Sequence, residues 1–201
     1  MKVEDSLQYY IDNYDNNVFY KTKQSTMDKT YMLLADYFAS LDIDWLKDYE
    51  IIGVEKEVKF KLDEYDFIGY IDLLLRDKRD NKIIIIDHKS SEYPFKQNGE
   101  VKKNSLQSFE SYKKQMYLYC HAVYQLYKEF PKEITWNHFK DGGKFATIQF
   151  SKDDYDKTIK WFKDTLKIIE SENEYEPTQD YFYCYNLCNF RHSCEYKNMQ
   201  E

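Results

Sequence analysis

The sequence contains few of the residues that interrupt regular structure. Five Gly and three Pro occur in 201 residues, and we find no internal repeat or low-complexity linker. No apolar run approaches the roughly 18 residues that a membrane span needs. No apolar stretch follows a basic start, as it would in a signal peptide. We therefore expect one soluble cytoplasmic domain over 1–201, with a helical part at 1–50, a core at 51–176 and a tail at 177–201.

Positive charge is also in short supply. The 29 Lys and Arg are outnumbered by 36 Asp and Glu, which gives a formal net charge of −7. This balance argues mildly against nonspecific coating of nucleic acid. It does not exclude a local basic groove, because the segment from Phe95 to Lys114 carries five lysines against two glutamates. With 42% hydrophobic and 32% charged residues, the composition is that of a globular protein.

Apolar periodicity predicts a mixed α/β domain. Alternating or continuous apolar segments predict strands, and apolar spacing of three or four residues predicts helices. The predicted strands are 51–62, 67–75 and 82–88, followed by a hairpin around Gly142 and Gly143. The predicted helices are 27–47, 105–129 and 153–170, and Ser151 is expected to cap the last of them. The expected fold is a central mixed β-sheet flanked by helices.

Two aspartates occur in apolar segments where a charge is unexpected. Asp72 lies in "FIGYIDLLL" and Asp87 ends the run "IIIIDHK". If these strands form an antiparallel hairpin with the two aspartates opposed, partner numbers sum to 159 and the turn centres between Arg79 and Asp80, inside the polar "RDKRDNK". Opposed residues have Cβ atoms about 4.5–5.5 Å apart, so the carboxylates repel unless a cation joins them. Hard oxygen ligands favour Mg²⁺ or Mn²⁺.

Other polar side chains are placed to serve the same site. Lys89 leaves the strand on the same face as Asp87, where an ammonium can hold a metal-bound water or neutralise charge on a phosphate. Glu57, or alternatively Glu55, can add a third carboxylate from the preceding strand. The plainer interpretation is a surface Asp–Lys pair at a strand end, with Asp72 in a salt bridge.

Taken together, these segments resemble the PD-(D/E)XK nuclease superfamily and, within it, the RecB-like and CRISPR-associated exonuclease branch. "EVKFKLDEYDFIGYIDLLL" is similar to that branch's Glu strand and the G-x-x-D strand that follows, with Gly69 in place. "IIIIDHKSS" resembles its D-x-K-[ST] strand, and "QMYLY" its Q-x-x-x-Y helix, with Gln115 and Tyr119. The resemblance covers roughly Ile51 to Tyr196. It implies a restriction-endonuclease-like α/β core with a cysteine-rich C-terminal clasp.

The resemblance also implies an activity, which is divalent-metal-dependent DNA exonuclease action in recombination, repair or end processing. Asp72, Asp87 and Glu57 would bind Mg²⁺ or Mn²⁺, and Lys89 would serve the attacking water. The helix residues Gln115 and Tyr119 would hold substrate backbone or orient Lys89.

Two features qualify that activity. Many members of the branch carry an upstream histidine ligand, but no histidine here precedes the carboxylate strands. The upstream ligand is therefore Glu57 or a carboxylate of the first helix, such as Asp36. Since no helicase motif of the G-x-x-x-x-G-K-[ST] kind is present, a helicase or recombination partner would unwind the DNA.

The cysteines are concentrated in the tail. Cys184, Cys188 and Cys194 form C-x3-C-x5-C, which in a reducing compartment indicates metal binding before disulfides. The resemblance implies a [4Fe–4S] cluster, and no cysteine precedes Cys120, which would have to be the fourth ligand. Alternatively, His192 completes a Cys₃His zinc site. A third interpretation is that the cysteines merely pack.

Two other functions remain open from the sequence. One is a nuclease fold that only binds DNA ends or a partner protein. The other is an endonuclease built on the same core. The lean build would suit a phage or mobile-element protein acting in the host cytoplasm.

Overall fold

The computed structural model describes residues 44–172, 177 and 180–198, together with positions 5, 8, 9, 12, 13, 25 and 29. The chain divides into two compact units, Met1–Lys160 and Trp161–Glu201. Of the predicted helix at 27–47, only the end falls among consecutive described residues, and there Asp44–Asp48 forms a short 3-10 helix. Asp36 lies outside the described residues.

The regular elements follow the predicted order. The strands are β1 Tyr49–Leu62, β2 Tyr65–Asp77, β3 Ile83–Lys89, β4 Glu133–His138 and β5 Lys144–Gln149. The long helices of the described chain are α1 Leu106–Tyr127 and α2 Lys152–Ser171. The three predicted strands, the hairpin and the two later helices are confirmed. Ser151 caps α2 as predicted, since its Oγ accepts the backbone N–H of Asp154 at 3.3 Å.

The five strands form one mixed sheet in the order β1-β2-β3-β4-β5. The pairs β1–β2, β2–β3 and β4–β5 are antiparallel, whereas β3 and β4 are parallel. Parallel neighbours need a crossover connection, and α1 supplies it between β3 and β4. The predicted mixed sheet flanked by helices is therefore confirmed.

The run of four isoleucines in β3 is buried on both faces of the sheet. Ile83 and Ile85 belong to the main core, which includes α1, and Ile84 and Ile86 pack on the opposite face with Leu75. A strand that is covered on both sides has no polar face, so it is continuously apolar rather than alternating. This explains why the segment lacks a period of two.

A buried carboxylate holds the turn after β2 against the start of β4. Asp77 is fully buried, and its Oδ2 lies 2.6 Å from both Arg79 Nη2 and Lys132 Nζ. Lys132 also reaches Asp80, at 2.7 Å. The Arg79 and Lys132 side chains hold the pKa of Asp77 well below its ordinary value. The network therefore stabilises the ionised form of Asp77.

Within the described residues, no helix is both long enough and apolar enough to cross a membrane.

We expect Asp77→Asn to lower the free energy of unfolding at pH 7, because it leaves two cations around a neutral amide. A depressed folded-state pKa stabilises the fold above the unfolded-state pKa, and this stabilisation is lost as pH falls through the folded-state value. The deficit relative to wild type should therefore shrink as pH falls below about 4. Urea unfolding at pH 7 and pH 3 measures it.

Asp66→Asn is the matched control for this prediction. Its carboxylate pairs with Lys61 at 2.8 Å on the exposed surface, and such pairs contribute little to stability. A deficit for Asp77→Asn that is equal at both pH values would contradict the proposed role of its charge.

Candidate active site

The register between β2 and β3 places the two aspartates next to each other. The four pairs from Leu73–Ile86 to Arg76–Ile83 have residue numbers that sum to 159, as the hairpin model predicts. The ladder ends one step before Asp72 and Asp87. There the Asp72 Oδ2 atom instead accepts the backbone N–H of His88 at 2.7 Å. The carboxylate of Asp72 thus takes the place of a main-chain partner where the two strands separate.

Asp72 sits at a break in the alternation of β2. Ile71 and Leu74 both belong to the core that includes α1, whereas Leu73 packs on the opposite face. Regular alternation would place Ile71 and Leu74 on opposite faces. Across from this point, Glu55 of β1 has a positive φ of 46°. The irregularity therefore affects both strands at the level of the site.

Asp87 and Lys89 form a largely buried ion pair at the end of β3. Lys89 Nζ lies 2.8 Å from Asp87 Oδ2, and the side chains are 16% and 7% exposed. Burial raises the pKa of Asp87, the ammonium of Lys89 opposes the rise, and the negative charge of Asp72 adds to it. The site therefore disfavours a second negative charge beside Asp72 even with the ammonium of Lys89 in place.

Helix α1 holds the lysine from above the sheet. Lys89 Nζ donates to Gln115 Oε1 at 3.2 Å and lies 4.5 Å from the centre of the Tyr112 ring. Gln115 Nε2 in turn donates to the Tyr119 hydroxyl at 3.2 Å. These contacts show a physical link from the Q-x-x-x-Y element to Lys89. The part of Tyr112 was not foreseen, although its position three residues before Gln115 puts both on one helix face.

Gly69 permits the close approach of α1 to β2. A Cβ atom added at Gly69 would lie 2.9 Å from Cε1 of the Tyr119 ring, closer than carbon atoms tolerate. The glycine of the G-x-x-D segment therefore has a packing reason here. It leaves space for the tyrosine whose hydroxyl contacts Gln115.

His88 faces away from this cluster. Its side chain is exposed, and its Nδ1 lies 3.1 Å from the side-chain Nδ2 of Asn137. The backbone N–H of His88, which holds Asp72, is its contribution to the site. No sequence pattern signals a main-chain contact of this kind.

Glu57 has other partners. Its carboxylate accepts the Tyr70 hydroxyl at 3.1 Å and lies 3.2 Å from Lys59 Nζ. Lys59, and then Tyr70, hold the pKa of Glu57 below its ordinary value. In the part of the chain that the structure describes, no group of three His, Cys, Asp or Glu side chains is spaced to hold a metal. The structure therefore does not bring Glu57 to the two aspartates, and its role as a ligand stays a prediction.

The pair of aspartates fits a divalent cation. The raised pKa of Asp87 reflects burial and the neighbouring Asp72 charge, and a cation would offset both effects. Carboxylate oxygens are the ligands that Mg²⁺ and Mn²⁺ prefer. Asp72 and Asp87 are the described residues that would hold such an ion.

The cysteines do not form a comparable site. Cys120 is fully buried in the core, and burial raises the pKa of its thiol well above the ordinary value, which opposes the thiolate that a metal needs. In the second unit, Cys184, Cys188 and Cys194 are half-buried, and His192 is exposed. Among the described residues, these side chains assemble into no group suited to a metal. The predicted iron–sulfur or zinc clasp is therefore not supported.

Comparisons with known proteins agree with the fold. The family model of the PD-(D/E)XK nuclease superfamily matches residues 4–195, and the chain belongs to this superfamily. It is similar to the crystal structure of a "putative exonuclease" from Eubacterium rectale, with a TM-score of 0.50 and 14% identity. That match covers 94% of this chain and 68% of the other. No curated protein matches the sequence significantly.

We expect Gly69→Ala to destabilise the fold by about 1–3 kcal/mol, the usual cost of an added methyl in a packed site. In a Tyr119→Leu background the loss should be smaller, because the ring carbon that the new Cβ would meet is gone. A double-mutant cycle of urea unfolding measures the difference. Equal losses in both backgrounds would mean that Tyr119 is not what requires the glycine.

Proposed function

We propose that this chain is a divalent-metal-dependent nuclease that hydrolyses phosphodiester bonds in DNA from an end. The observation that carries the proposal is the buried Asp87–Lys89 pair beside Asp72, with Gln115 of α1 fixing the lysine. Burying two charges is costly unless they are well paired. A site that keeps them at a strand end beside a further carboxylate therefore supports chemistry rather than stability alone.

Each residue has a distinct part in the proposed reaction. Asp72 and Asp87 would hold Mg²⁺ or Mn²⁺, which when bound supplies Lewis acidity and lowers the pKa of a bound water. Lys89, held between Asp87 and Gln115, orients the attacking water or offsets charge that develops on the phosphate. Gln115 is itself fixed by Tyr119, so the ammonium is positioned before the substrate arrives.

The finer assignments follow from the resemblance to RecB-like and CRISPR-associated exonucleases. We propose that the chain acts in the cytoplasm on DNA ends during recombination, repair or end processing, with a helicase or recombination protein as partner. The metal content of the purified protein tests the cysteine clasp. Stoichiometric iron with sulfide, or stoichiometric zinc, would support a metal-bound clasp. A protein that contains no iron, sulfide or zinc would leave the cysteines as packing residues.

The activity is tested on end-labelled linear DNA and a covalently closed circle, each with Mg²⁺ or Mn²⁺. We expect the linear DNA alone to be degraded, and EDTA to stop the reaction. Lys89→Ala and Asp87→Asn should each reduce the rate by about 10²–10⁴-fold, the range for loss of a catalytic group. Lys61→Ala, which removes an exposed lysine paired with Asp66, should leave the rate unchanged.

The other outcomes identify the alternatives. Cutting of the closed circle would indicate an endonuclease. Tight binding of DNA or of a partner protein without hydrolysis under any metal condition would indicate a binding module in which the carboxylate pair is structural.

A further inference from the structure

Three buried polar atoms at the ends of β3 and β4 make no well-aligned hydrogen bond in the part of the chain that the structure describes. They are Asp87 Oδ2, Trp136 Nε1 and His138 Nε2. The three residues are 5%, 0% and 1% exposed, so bulk water does not satisfy them. Buried polar atoms are nearly always paired in folded proteins, and three exceptions in neighbouring positions call for a common cause.

The parallel pairing of β3 and β4 brings these residues together. Asp87 lies beside Trp136, and Lys89 lies beside His138. Residues two apart in a strand leave it on the same face, and Trp136 belongs to the core that includes α1. All three side chains therefore leave the face that α1 covers.

The hydrogen-bonding capacity of the three atoms is complementary to one water molecule. His138 Nδ1 lies 3.0 Å from the Ser91 carbonyl oxygen, which only accepts, so the neutral ring carries its proton on Nδ1 and Nε2 is an acceptor. Trp136 Nε1 is a donor, and Asp87 Oδ2 is a second acceptor. A single indole N–H cannot satisfy two acceptors. A water can accept from the indole and donate to both others.

A bound cation fits this arrangement less well than water does. The indole N–H of Trp136 is a donor and cannot coordinate a metal. Lys89 Nζ already lies 2.8 Å from Asp87 Oδ2 and forms an ion pair with it, without a well-aligned hydrogen bond. A further positive charge at this oxygen would be repelled.

We propose that Asp87, Trp136 and His138 bind one buried water, which fixes the inner oxygen of the Asp87 carboxylate. Trp136 and His138 are then positioning residues that act through this water. The Asp87 carboxylate then cannot rotate freely, and its other oxygen, Oδ1, stays in a fixed orientation in which it could bind the cation. The water site does not depend on the proposed function. Only its consequence for cation binding rests on that function.

The water is detected by NMR on the whole chain. The sequence has three Trp, and Trp136→Phe identifies the Trp136 indole resonance by its loss. We expect this proton to exchange slowly and to show a direct cross-relaxation peak with a long-lived water. His138→Asn should abolish or weaken that peak, because the shorter amide can still donate to Ser91 but lacks the Nε2 acceptor. His138→Gln, which restores an acceptor near that position, should retain it.

The positioning role is measured by Mg²⁺ binding in calorimetry without DNA. We expect Trp136→Phe and His138→Asn to weaken binding by about tenfold or more, as loss of an outer contact does at metal sites, and His138→Gln to remain closer to wild type. Trp161→Phe, at a 40% exposed tryptophan of the other unit, is the matched control and should change neither readout.

The outcomes separate the two claims. A folded wild-type protein without the water peak, or a peak unchanged in His138→Asn, overturns the water site. A water peak with unchanged Mg²⁺ affinity in both variants overturns the positioning role. If the chain binds Mg²⁺ but cuts no DNA, the proposed function fails while the water site is still decided by the NMR result.

Discussion

The end of β3 places two charges on the face of the sheet that α1 covers, and much of the surrounding structure depends on that constraint. An isolated carboxylate at 5% exposure would be costly, so Lys89 must accompany Asp87 into the core. The lysine then needs polar contacts from the layer above, which α1 provides through Gln115. Gln115 is fixed by Tyr119, and the tyrosine fits only because Gly69 leaves room on β2. One buried ion pair thus links sheet, helix and glycine.

Most of the described fold could be predicted from the sequence because its signals are local. Apolar periodicity located the strands and the later helices, and the polar turn between β2 and β3 set a register that the structure confirms. The parallel pairing of β3 and β4 depends on how α1 crosses the sheet, which periodicity does not report. The network around Asp77 was also missed, since its partner Lys132 lies 55 residues further along the chain.

The candidate site was predictable where it depends on strand register and helix spacing, and not where it depends on local irregularity. Register places Asp72 beside Asp87, and spacing within α1 aligns Gln115 with Tyr119. The direction in which Asp72 leaves β2 depends on the irregularity between Ile71 and Leu74, and regular alternation along a strand does not predict this irregularity. Glu57 was assigned from its place on the strand before Asp72 and from the resemblance to the family's Glu strand. In the structure its cross-strand partner Tyr70 and its neighbour Lys59 contact its carboxylate instead.

The position of the site follows from the direction of three neighbouring strands. β3 and β4 run parallel, so their carboxyl ends, with Lys89 and His138, lie at one edge of the sheet, the edge where ligands commonly bind in open α/β sheets. β2 runs the other way and passes this edge in mid-strand, which brings Asp72 in from the opposite direction. A carboxylate from the middle of β2 meets the end of β3 because β2 pairs antiparallel with β3 and extends past the end of that strand. The parallel pairing of β4 then adds the end of a third strand, with His138, at the same edge.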